Sequence, residues 1–180
     1  MALIIKVRGK KPVFGTNCHL AKNATVVGDV VMGDDCTVWF NAVVRGDVNY
    51  IRMGNKVNVQ DCAVIHGTYN KAATHIGNSV SIAHGAVVHG CTIHDHVLVG
   101  MRAVIMDNAV IGSNCIIAAG SVILENTVCE PNSVYAGIPA KKIKTIDPAL
   151  VTGEIERIAN SYLMYASWYK DKENSEETDV

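Results

Sequence analysis

The sequence predicts a mainly β fold: a three-sided parallel β-helix carrying one C-terminal α-helix. Three observations predict it. An aliphatic or apolar residue returns at every sixth position over most of the chain, a small residue often follows it, and the spacing changes to threes and fours near the C-terminus. A helix needs a period near 3.6 and a half-buried strand alternates by two, so a period of six belongs to neither. It fits short strands joined by tight turns, three of which close a triangular coil of about 18 residues.

The series opens with Phe14, Leu20, Val26, Met32, Val38 and Val44. After a three-residue insertion it resumes at Met53, Val59 and Ile65, and after a five-residue insertion at Ile76, Ile82 and Val88. One five-residue step leads to Ile93, Val99, Ile105, Ile111, Ile117 and Ile123. Six coils therefore begin at Phe14, Met32, Met53, Ile76, Ile93 and Ile111, each touching only its neighbours around a column of Val and Ile. Gly15, Gly33, Gly54, Gly77, Gly100 and Gly112 are among the small residues that follow the apolar ones.

The C-terminal part obeys another rule. Asp147 is a predicted N-cap with Pro148 at the first helical position. Val151, Ile155, Ile158, Tyr162, Tyr165 and Tyr169 then form one apolar helix face. Gly153 weakens its first turns. The tyrosines are expected to pack on the flank of the β-helix. The predicted organisation is a β-helix with lead-in and exit loop over 1–146, a packed helix over 147–171, and a charged, disordered tail over 172–180.

Composition narrows the function. With 49% hydrophobic and 18% charged residues the chain can bury a sizeable core, while 6% aromatic content favours thin, regular layers. A net charge of −1 without a basic stripe argues against nucleic acid as a partner. The apolar runs are too short for a membrane span and the N-terminal stretch lacks the features of a signal peptide, so a cytoplasmic location is expected. Six cysteines form no CxxC pair and are expected to be reduced, small buried residues of the turns. Cys18 and Cys36 lie one coil apart and would be neighbours.

The register also places the histidines. His66 follows Ile65 and His89 follows Val88, both on the third face, in successive coils. The two should stack, separated by roughly the 4.8 Å between adjacent strands. A small inward lean brings that close to the roughly 3.4 Å between two nitrogens on one tetrahedral zinc. His84 lies on the second face, roughly 15 Å from His89 along the chain. Three prisms around a threefold axis would bring it from a neighbouring subunit to complete an open, three-ligand site. The competing reading of each histidine is a polar residue satisfied by hydrogen bonds. His19, His75, His94 and His96 have no register support and are expected at the surface or in turns.

Arg45-Gly46-Asp47, Asn58-Val59-Gln60-Asp61, His66 and the run from Ala83 to Cys91, AHGAVVHGC, resemble the γ-class carbonic anhydrase family of hexapeptide-repeat proteins. The likeness spans about residues 10–145 and ends in Ala136-Gly137-Ile138-Pro139-Ala140-Lys141, a motif shared with many hexapeptide acyltransferases. The resemblance implies a left-handed β-helix and a homotrimer with one metal per subunit interface, held by His66 and His89 of one chain and His84 of the next. Zinc is the default ion, with iron or cobalt as alternatives on the same imidazoles. It further implies Arg45 and Asp47 as an interfacial ion pair, Asn58 and Gln60 as polar groups beside the metal-bound water, and Asp61 as a supporting carboxylate. The implied reaction is reversible hydration of carbon dioxide to bicarbonate.

Two segments depart from the family pattern. Where archetypal members carry acidic residues that export protons, this chain has Val48-Asn49-Tyr50 and Gly67-Thr68-Tyr69-Asn70. Slow hydration is therefore expected, with His75 or Tyr135 as residues that would have to approach the pocket. A hexapeptide acyltransferase or acyl-CoA thioesterase, and a non-catalytic trimer stapled by its metal, stand as alternatives, because fold alone does not decide.

Overall fold

The structure, a computed structural model, describes residues 1–170. Short parallel strands stack into three faces of a β-helix, and a helical arm follows at the end of the described residues. The charged tail over 172–180 lies outside the described residues.

Each face is a ladder between successive coils. On the third face Val64–His66 pairs with Val87–His89, which pairs with Val104–Ile105, which pairs with Val122–Ile123. Residues 18 apart are partners where the repeat is regular, as in Ile105↔Ile123. The insertions stretch the offset without changing which side chains point inward: Ile65 still pairs with Val88. Ile65, Val88 and Ile105 are fully buried, and they form one side of the axial column.

The coils do not stop at the sixth. Val128–Cys129 adds a rung to the first face, and Ser133–Gly137 adds one to the second. Leu3–Ile5, in the lead-in, also pairs with the third face beneath Thr25–Val27. The aliphatic series misses the last rungs because the inward positions there are Cys129 and Tyr135. Tyr135 lies in register with Ile117, belongs to the axial core, and accepts the Glu130 backbone N–H at 3.0 Å. It caps the column and does not approach the histidines.

Corners require left-handed backbone, and asparagine supplies it more often than any other residue. Asn17, Asn41, Asn108, Asn114, Asn126 and Asn132 all have positive φ, a conformation Asn tolerates better than most residues. Their side chains also bond from coil to coil, as from Asn23 to Asn41 at 2.8 Å and from Asn114 to Asn132 at 2.9 Å. Cys62 holds such a corner position (φ 61°) and is exposed, unlike the buried turn cysteine expected there. Cys18 and Cys36 do lie close enough to interact, and the neighbouring Cys36 pulls the Cys18 thiol below its ordinary value.

Two long strands, Thr25–Met32 and Val43–Met53, run from the third face onto the first. Gly28 and Gly46 oppose each other where the two bend. Gly28 has φ +75°, and a Cβ on Gly46 would lie 2.6 Å from Asp29 O. This close backbone approach carries the chain into Asp47. Gly28→Val should therefore lower stability by about 1–3 kcal/mol, the cost of a side chain in strained backbone. Urea denaturation measures it, and an unchanged midpoint would contradict the assignment.

The helix starts as the sequence indicates. Asp147 accepts the Ala149 N–H at 2.9 Å with Pro148 next in line. A π-helical stretch, Val151–Glu156, surrounds Gly153, and regular helix follows over Arg157–Lys170. Ile155 is fully buried against Val134 and Ile146, with Leu98 and Ile116 alongside. Farther on, Tyr162 and Tyr169 meet Trp39 edge-on at 5.3 and 5.5 Å. Lys170 Nζ finally reaches Asn17 O at 3.1 Å. His19, expected at the surface, is half-buried between Trp39 and Tyr169 because this aromatic packing covers it. No described helix is long and apolar enough to cross a membrane.

Candidate metal centre

The site begins with strand alternation. Ile65 and Val88 point inward, so the next residue of each strand points out. His66 and His89 are direct partners in the ladder, and their rings lie 5.2 Å apart. His66 Nδ1 faces His89 Nε2 at 3.2 Å. That is close to the roughly 3.4 Å between two ligands of a tetrahedral zinc.

Carboxylates hold the outer nitrogens. Asp107 Oδ1 lies 2.6 Å from His89 Nδ1, and Asp47 Oδ1 lies 3.1 Å from His66 Nε2. A neutral imidazole has one N–H and one lone pair, and a carboxylate takes the N–H. The two nitrogens that face each other therefore both carry lone pairs. Two acceptors at that distance repel unless a cation or a shared proton lies between them. Burial pulls His66 below the ordinary imidazole value despite its bond to Asp47, which disfavours the proton. The donor set fits a divalent metal.

The carboxylates are themselves fixed. Arg45 Nη1 donates to Asp47 Oδ2 at 2.6 Å, and the Thr68 hydroxyl donates to Asp107 Oδ2 at 2.5 Å. Burial raises the pKa of Asp47, but the bonds from Arg45 and His66 outweigh it and leave the carboxyl low. Burial also opposes ionisation of Asp107, and the bonds from Thr68 and His89 again win. Supports of this kind orient metal ligands and fix their tautomers.

His84 belongs to a second cluster. It sits on the corner after Ser81–Ile82, where Asp61 Oδ2 takes its Nδ1–H at 2.9 Å. Its Nε2 is left as a lone pair, to which the Tyr162 hydroxyl donates at 3.4 Å. Gln60 donates to Asn58 Oδ1 at 3.0 Å, and Asn58 donates to Ser81 Oγ at 2.7 Å. Gln60 and His84 line a cleft of about 370 Å³ between the second face and the helix residues Ile158 and Tyr162.

The expected residues thus form two groups in one chain: Arg45, Asp47, His66 and His89, and separately Asn58, Gln60, Asp61 and His84. Among the described residues, no three metal-binding side chains of one chain converge on a common point. His75 is exposed on the first face, edge-on to Tyr50 at 5.3 Å, around the corner from the histidine pair. Two participants escaped the sequence reading. Asp107 lies one coil above His89, and extending the 18-residue register upward would have found it. Tyr162 was visible only as part of an apolar stripe, and no local signal aims it at His84.

Comparison with known proteins bears on the fold and the family. The hexapeptide model described as "Bacterial transferase hexapeptide (six repeats)" matches residues 11–46 and 90–125. The unmatched middle holds both insertions and the three candidate ligands His66, His84 and His89. A protein of Methanocaldococcus jannaschii named "Probable carbonic anhydrase" is 52% identical over 149 residues, covering 83% of this chain and 91% of the relative. The chain belongs to the γ-class carbonic anhydrase family of hexapeptide-repeat proteins. A Geobacillus kaustophilus protein named "Carbonic anhydrase" is 36% identical over 93% of this chain and 91% of its own. Among solved structures, a hexapeptide transferase family protein from Anaplasma phagocytophilum matches with a TM-score of 0.88 at 30% identity. That match covers 93% of this chain and 98% of the other. The γ-class carbonic anhydrase fold is therefore shared with a protein titled as a transferase.

Proposed function

We propose that the protein is a metal-dependent carbonic anhydrase that works as a homotrimer, hydrating carbon dioxide reversibly to bicarbonate. The observation that carries this reading is the pair of facing ring nitrogens of His66 and His89, 3.2 Å apart, each ring held by a carboxylate on its other nitrogen. His84 is prepared in a similar way, with Asp61 on its Nδ1 and its Nε2 met only by the Tyr162 hydroxyl at 3.4 Å, but on another side of the prism. A threefold assembly would bring His84 of one chain to the pair of the next. Zinc is the proposed ion, and iron or cobalt would suit the same nitrogens. A divalent cation there would lower the pKa of bound water from 15.7 to about 7.

The chain's own groups then divide the work. Asp47, Asp61 and Asp107 orient the three imidazoles, and Arg45 holds Asp47 in place. Gln60, with its amide fixed by Asn58, would orient the attacking oxygen by a hydrogen bond. The apolar side of the cleft, which includes Leu98, Ile116 and Ile158, favours an uncharged substrate over water. Its cysteine usage suits the cytoplasm.

Protein purified without chelator should carry about one metal per chain, as interfacial sites in a symmetric trimer require. Stripping the metal should abolish hydration and lower the melting temperature, because a ligand of the native state stabilises it by mass action. Elemental analysis, sedimentation and a stopped-flow hydration assay read these outcomes. A stable monomer, or a trimer with full hydration activity after metal removal, would sink the proposal.

A further inference from the structure

The regular repeat needs no insertions, yet both of this chain's inserted loops meet the N-terminal turn at one place. The N-terminal turn Val7–Lys10, the bend after Gly46 and the loop after His66 surround a cleft of about 260 Å³. Arg8, Lys10, Asp29, Asp47, Tyr50 and Asn70 are among its lining residues. Asn49 donates to Thr68 O at 3.2 Å and ties the two inserted loops together. Loops that depart from a rigid scaffold commonly carry function.

The cleft's lining carries two cations and two carboxylates, and both carboxylates have cationic partners outside it. Asp29 is paired with Arg52 at 2.8 Å, and Asp47 with Arg45 at 2.6 Å. Arg8 and Lys10 have no carboxylate partner among the described residues. Arg8 instead lies over the Tyr69 ring at 5.4 Å, which leaves its guanidinium edge free to donate. Two cations therefore remain uncompensated, and such a field concentrates anions. One wall of the cleft is Asp47, which touches His66. These are also the loops that lack the acidic residues of archetypal family members.

We propose that this cleft binds a small oxyanion of the phosphate class, which accepts the proton released by hydration in place of the missing carboxylates. The role, though not the binding, rests on the hydratase reading above. Carbon dioxide and water give bicarbonate and a proton; hydrogen phosphate takes the proton and departs as dihydrogen phosphate. No electrons change hands. Bicarbonate shares the chemistry that the cations recognise, so the experiment must separate a bound product from a bound buffer.

The test compares the full chain with an Arg8→Gln/Lys10→Gln double variant and with Lys11→Gln, an exposed charge outside the cleft. Phosphate binding to metal-free protein is measured by calorimetry, with bicarbonate as the second ligand. The double variant should bind phosphate about tenfold more weakly, the scale of losing charge-assisted contacts at an open site. Lys11→Gln should bind as the wild type does. In the metal-loaded enzyme, the ratio of phosphate-supported to imidazole-supported hydration should fall by a similar factor in the double variant. Equal phosphate affinity in all three proteins would overturn the site. Weakened binding with an unchanged buffer ratio, or a preference for bicarbonate, would overturn the proton role. A wild type that binds phosphate but hydrates nothing would sink the hydratase reading and the proton role, and leave the anion site standing on binding alone.

Discussion

Mixing His66→Ala chains with His84→Ala chains should recover about a quarter of the wild-type metal content, the random share of intact interfaces in a symmetric trimer. Neither variant alone should hold a complete ligand set. The expectation follows from where the side chains lie: His66 and His89 share one ladder, while His84 occupies a different side of the prism. A random trimer restores a site only where a chain that keeps His84 precedes one that keeps His66. Co-refolding followed by elemental analysis reads the result. A mixture with no more metal than its separate components would show that the site is not shared between chains.

Asp107→Asn should weaken zinc binding about 10–100-fold, the usual cost of removing an outer carboxylate from a ligating histidine. The side chain changes little in size, so packing is conserved. Its chemistry reverses. An amide can turn its NH2 toward His89 Nδ1 and place the imidazole proton on Nε2, the nitrogen that would face the proposed metal. Chelator competition measures the affinity, and circular dichroism of the metal-free protein checks the fold. Unchanged affinity would remove Asp107 from the site. Thr68→Val should produce a smaller loss in the same direction, because Thr68 only steadies the carboxylate.

The coil register was legible because an inward aliphatic residue obeys a simple rule. From Ile93 to Ile123 the spacing never breaks, and every rung appears where the rule puts it. The same rule identified the stacking of His66 on His89, since a residue after an inward one must point out. It failed at Cys129 and Tyr135, where the last coil buries a thiol and a phenol in aliphatic positions. It also failed for His19, whose cover comes from the far end of the chain. Helix packing depends on contacts between residues 153 positions apart, as for Lys170 and Asn17, and no local spacing encodes them. Asp107 was missed for a different reason: an aspartate near a turn is ordinary, and the 18-residue register singles it out only when carried upward from His89.

The arm over 148–170 has a thermodynamic consequence. A stack whose layers touch only adjacent layers can peel from either end, one layer at a time. Here Ile155 is anchored near the final rungs, while Lys170 grips the corner at Asn17 beside the first ones. That strap joins both ends, so peeling one loosens the other and the whole spool should melt as a single cooperative unit.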